Sequence, residues 1–463
     1  MERGTGSPPS DRPPPRSRAE RYRAGRELRH RLRRSEQGAW SPTTDRPDPV
    51  SLLVRSDRGR VRDLLPIRYA RMVVSPFGFL RGAAAVMAHD LAGTRVTGLK
   101  VQMVGDAHVG NFGLFATPER DQVFDANDFD ETLAGPWEWD VKRLATSVLL
   151  LGRENGVARR GAREAARTAA RAYRRRTLDL AALPYLEAWY AHLDLAEASR
   201  EVGPEGLRWL RRELPLARRR TGLHDFPRLA RGSARTARIR DAPPLIRHFA
   251  DPEEAAVVDE ALRRYRATLP PERCVLFDRY RLVDVAQKVV GVGSVGTRCA
   301  IGLFLGDPDV AEPLFLQVKE AAASVHEGYL GPSRFPSHAQ RVVVGQRLVQ
   351  EASDVFLGWG RAGGRDFYVR QLRDMKLSSD LTGLGPGALV GQAELCGAAL
   401  ARAHARTGDA AALAGYLGRG EAFDIAIADF AEAYARQTEA DHAAFQRAVR
   451  DGRLPGLERP TRR

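Results

Sequence analysis

The chain has 463 residues, 43% hydrophobic and 28% charged, a globular composition long enough for two lobes with real cores. No apolar run approaches the roughly 18 residues of a membrane helix, and no apolar stretch follows the basic N-terminus, so a cytoplasmic protein with no membrane partner is expected. The net charge of +15 favours phosphate-bearing partners, and three scattered cysteines, Cys274, Cys299 and Cys396, argue against a disulfide framework or a zinc site.

Residues 1–48 are rich in Pro, Arg and Ser and are predicted to form a disordered basic tail, open to weak nucleic-acid contact. Residues 49–274 form a helical lobe interrupted by one strand, where Leu99, Val101 and Met103 alternate with Lys100 and Gln102. Behind that strand lies Val104-Gly105-Asp106-Ala107-His108-Val109-Gly110-Asn111. A second acidic string follows the apolar pair Val123-Phe124 and holds Asp125, Asp128, Asp130 and Glu131.

Residues 275–376 change character and read as a β-rich lobe: a strand through Val283, Val285 and Val289, the turn Gly291-Val292-Gly293-Ser294-Val295-Gly296, then a strand from Cys299 to Leu305. In the next strand Leu314, Leu316 and Val318 alternate with Phe315, Gln317 and Lys319. A helix from about 337 to 352 and a strand pair ending at Leu372 complete the lobe. Residues 377–463 return to helix. The fold class is α+β.

The chemistry points to phosphoryl transfer. Asp-x4-Asn behind a strand suits one carboxylate, Asp106, that takes a hydroxyl proton, and one amide, Asn111, that holds magnesium. Asp128 and Asp130 would share the metal, since crowded carboxylates repel unless a cation offsets them. A strand follows the glycine turn, so Gly291, Gly293, Ser294 and Gly296 suit a flap of N–H groups over phosphates better than a dinucleotide fingerprint. Lys319 is one of five lysines among 73 basic residues, which marks it as a place where a compact ammonium is wanted. Glu351, or the amide Gln346, is its candidate partner.

Gly105-Asp106-Ala107-His108-Val109-Gly110-Asn111 resembles the catalytic loop of aminoglycoside-phosphotransferase-like and choline-kinase-like enzymes. Val104 stands where those enzymes carry a loop-bracing His. Gly135, Pro136 and Asp140, at seven, eight and twelve residues beyond Asp128, also fit that pattern and select Asp128 over Asp125 as metal ligand. The resemblance implies ATP and Mg2+ as cofactors, an unknown phosphate acceptor, and a protein-kinase-like two-lobe fold. The order of the parts is permuted: the glycine turn and Lys319 follow the catalytic loop, and Ala399-Leu400-Ala401-Arg402-Ala403-His404-Ala405, similar to the helix that precedes that loop in such kinases, lies near the C-terminus. By the same resemblance a stretch near Gln371 to Asp374 would meet the adenine. From about 64 to 450 the chain is also similar to an uncharacterised bacterial family, domain of unknown function 2252. Two other readings stay open at this stage: a metallophosphoesterase using Asp106 and His108, and a catalytically inactive nucleotide sensor or RNA-associated protein.

Overall fold

A computed structural model describes residues 16–455, apart from 195–196, 198–202, 220, 233–235, 308–311, 373–374, 376 and 379–380. Among these, no helix is long and apolar enough to cross a membrane. The architecture is α+β, with a helical body beside a six-stranded antiparallel sheet.

The helical body is built around Trp137–Glu154, whose first turn carries Glu138 and Asp140 where a helix N-terminus favours negative charge. It packs with Arg159–Ala182, Pro386–Thr407 and Ala422–Arg450 through one core that includes Leu144, Val148, Ala165, Ala169, Leu395 and Phe430. Trp137 and Trp139 are buried in it. Arginines on the outer face of Arg159–Ala182 pair with acids, as Arg163 does with Glu432 at 3.3 Å and Arg167 with Glu421 at 2.7 Å. Such exposed pairs contribute at most about 1 kcal/mol each.

The sheet runs in the order Gly358–Ala362, Arg365–Gln371, Pro313–Ala321, Cys299–Leu305, Arg281–Lys288, Ile246–Arg247. Helix Pro252–Tyr265 covers one face, placing Val258, Ala261, Leu262 and Tyr265 against Ala300, Phe304, Leu316 and Val318. Side chains alternate along a strand, so Gln317 and Lys319 point the other way. That face opens toward the helical body.

Two expectations are corrected. The segment 18–48 is not a disordered tail: Ser17 and Glu20 form a capping box that starts helix Arg18–Arg31, and Leu32 and Gln37 are buried. Its arginines serve the carbonyl end of helix Ala410–Leu417, with Arg29 Nε 2.9 Å from Tyr416 O and Arg34 Nη1 2.8 Å from Leu417 O. The β-rich unit also begins before 275, because strand Ile246–Arg247 joins its sheet and the amphipathic helix Pro252–Tyr265 contributes Val258, Ala261, Leu262 and Tyr265 to its core. Residues 1–15 lie outside the described residues.

Candidate functional site

Strand Lys100–Met103 delivers a loop whose shape is fixed from three sides. Gly105 has φ +85°, and a Cβ there would come within 2.1 Å of Glu131 O, so only glycine fits. Asp140 accepts from Val104 N at 2.7 Å and Gly105 N at 3.0 Å, and His404 Nε2 lies 3.2 Å from the same carboxylate. His326 reaches across from beyond strand Pro313–Ala321 and donates through Nε2 to Gly105 O at 2.8 Å. Burial lowers the pKa of its imidazole, which favours the neutral ring. Asn111 Nδ2 donates to Asp106 O at 2.9 Å, closing the loop. Asp106 then presents its carboxylate to a cavity, with Arg143 Nε 2.5 Å from Oδ1.

The second acidic string divides its labour. Asp125 is wholly buried and paired with Arg402. Asp130 accepts from Lys319 Nζ, from Tyr368 OH at 2.8 Å and from Ser294 Oγ at 3.1 Å. Burial opposes its charge, but Lys319, by charge and hydrogen bond, and Tyr368 outweigh burial and hold Asp130 down at about 2. Asp128 is pushed up, first by burial and then by the charge of Asp130. Lys319 is under the opposite pull: burial works against the ammonium, yet Asp128 and Asp130 hold its pKa well above the lysine range. A buried ammonium and two half-buried carboxylates are thus mutually dependent.

The glycine turn lies against this cluster. Gly291 has φ +61°, and the turn's carbonyls are drawn outward by arginines: Arg68 Nη1 donates to Val292 O at 2.9 Å and Gly293 O at 2.7 Å, and Arg60 Nη1 to Val295 O at 2.8 Å. Among the described residues, the N–H groups of Gly291, Val292, Gly293 and Ser294 meet no acceptor. Successive free N–H groups in a turn form a concavity suited to an anion. A cleft of about 1000 Å³ bordered by Lys319 and Gly291 adjoins a smaller cavity of about 140 Å³ bordered by Asp106 and Gly293. Asn111, Asp128 and Ser294 line both.

The model of the family described as "Uncharacterized protein conserved in bacteria (DUF2252)" matches residues 60–448. The chain belongs to the DUF2252 family. No curated protein and no solved structure gives a significant match.

In this DUF2252 member, Asp106, Asn111, Asp128, Asp130, Gly291, Gly293, Ser294 and Lys319 come together around the two cavities. Glu351 does not join them, which corrects its assignment as the partner of Lys319. Its Oε2 accepts from Leu193 N at 3.1 Å and lies 3.9 Å from Arg402 Nε, because the chain after helix His338–Val349 turns toward the helical body. Gln346 is bonded to Gln350 at 2.8 Å. Gly296 faces Arg60 and accepts from Val61 N at 2.7 Å, away from the cavities. His108 Nδ1 accepts from Gly110 N at 3.1 Å, burial keeps the ring neutral, and Nε2 lies 3.9 Å from Asp106 Oδ2. Of the stretch expected at the adenine, Leu372 lines the larger cleft, and 373–374 lie outside the described residues.

Among the described residues, no group of three or more His, Cys, Asp or Glu is arranged to hold a metal. Asp130 is turned to Lys319, which leaves Asp128 and Asn111 as oxygen donors on the cavities. One or two carboxylate or amide oxygens completed by substrate phosphates and water suit Mg2+, so the donor set fits that ion only together with a phosphate ligand. Arg81, Arg143, His326 and Tyr368 escaped sequence reasoning. Only Arg143 left a signal, three residues beyond Asp140 on one helix face.

Proposed function

We propose that this chain is a Mg2+- and ATP-dependent phosphotransferase with a permuted kinase-like two-lobe arrangement, acting on a hydroxyl acceptor. The observation that carries the reading is the direct contact of Lys319 with Asp130 beside Asp128, Asn111 and a turn of free N–H groups. Lys319 and the turn would hold nucleotide phosphates in the larger cleft, and Asp106 would receive the acceptor hydroxyl in the smaller one. As the acceptor oxygen bonds to the terminal phosphorus, its proton passes to Asp106 and the bond to the ADP oxygen breaks. Asp128 and Asn111 would hold Mg2+, which supplies neutralising charge to the phosphate oxygens when bound.

The permuted arrangement is supported by helix Pro386–Thr407, which braces both acidic strings through Arg402 to Asp125 and His404 to Asp140 although it lies hundreds of residues later in the chain. The direct test is release of ADP from MgATP by the wild type and by Asp106→Asn. The variant is expected to lose at least about 100-fold in turnover, the scale of a missing general base, with nucleotide affinity retained. Turnover equal to wild type contradicts the role of Asp106.

A further inference from the structure

The cations around the two cavities differ in what they already hold. Lys319 is bonded to Asp130 and Ser294; Arg370 donates to Gln317 Oε1 and Asn127 O, each at 3.0 Å; Arg143 is held by Asp106 and Leu80 O; Arg68 by Asp57 and the carbonyls of Gly82, Val292 and Gly293. Arg81 is different. Its guanidinium makes no hydrogen bond among the described residues, and its Nε is fully buried. It lines both cavities, lies 5.8 Å from the Phe77 ring centroid, and has Asp106, Glu154, Arg71 and Asp128 as charged neighbours. A buried donor with no acceptor is costly, so this position favours a ligand that brings oxygens to it. A planar fork of N–H groups matches a phosphate.

We propose that Arg81 binds the terminal phosphate of the nucleotide and stays with that group as it crosses from the larger cleft to the smaller one. The inference rests on the phosphotransferase reading and adds to it a specific contact. Arg81 donates to non-bridging oxygens of the terminal phosphate, keeps its own proton throughout, and meets the charge that develops as the bond to the ADP oxygen breaks. A diphosphate lacks the group that Arg81 recognises.

The test is calorimetric binding of MgADP and of the magnesium complex of the non-hydrolysable imido analogue of ATP to wild type, Arg81→Gln and Arg81→Lys, each checked for a wild-type melting temperature. Arg81→Gln is expected to weaken the triphosphate analogue by about tenfold or more, the worth of a charge-assisted hydrogen bond, and to leave MgADP within about twofold. Arg81→Lys, which keeps the charge but not the fork, should fall between. It carries the comparison if the glutamine variant does not fold. Equal weakening of both nucleotides, or of neither, in a folded variant overturns the assignment of Arg81. Binding of neither nucleotide by wild type instead removes the phosphotransferase reading, and the inference with it.

Discussion

Lys319 is stable as a buried ammonium because Asp130, Ser294 and the neighbouring charge of Asp128 together replace the water it has lost. Glu351 illustrates the opposite case. Burial dominates over the nearby Arg402 and pushes its pKa from a free glutamate's 4.5 up to about 7. A group whose folded pKa is raised contributes stability that is fully present below pH 4.5 and is lost as pH rises through about 7. Glu351→Gln, which mimics the protonated form, should match wild type at pH 4.5 and exceed it by on the order of 2 kcal/mol at pH 8, as read from denaturant midpoints. A wild type that gains stability over this range relative to the variant would contradict the assignment. At this scale the residues that meet at the cavities, Asp106, Asn111, Asp128 and Lys319, could be picked out from the sequence, because spacing and strand alternation mark them locally. The partner of Lys319 was not, since Asp130 and Glu351 are both acids of suitable reach and only packing separates them.

Among the elements, the loop 104–111 depends on props from far along the chain. Val104 cannot brace it, and His326, 221 residues beyond Gly105, takes that place from the segment after strand Pro313–Ala321. Nothing local to the loop announces such a prop. His326→Ala should therefore cost about 1–2 kcal/mol of stability for a lost buried hydrogen bond, and lower kcat for ATP turnover more than it raises the KM for ATP. A variant with unchanged kcat and reduced stability alone would limit His326 to folding. The strands and the helix near 337–352 were readable because their apolar periods are regular. Helix Arg18–Arg31 was not, because its arginines look like solvated charge and yet serve carbonyls of another helix.

Over the whole molecule, acids from the front third of the chain and a turn and lysine from its back half share one pair of adjoining cavities. The α+β class and the composition change near 275 were visible in the text. The true start of the sheet-bearing unit was hidden, because the two-residue strand Ile246–Arg247 is too short to show a period. We expect this convergence to bind magnesium nucleotide. Isothermal titration of the full-length chain with ATP tests it most directly, with and without Mg2+, beside Asp128→Ala. A dissociation constant between about 1 µM and 1 mM is expected with Mg2+, weakened about tenfold or more by removal of the metal or of Asp128. No binding heat at millimolar ATP in either condition, from a chain that melts cooperatively, would contradict it.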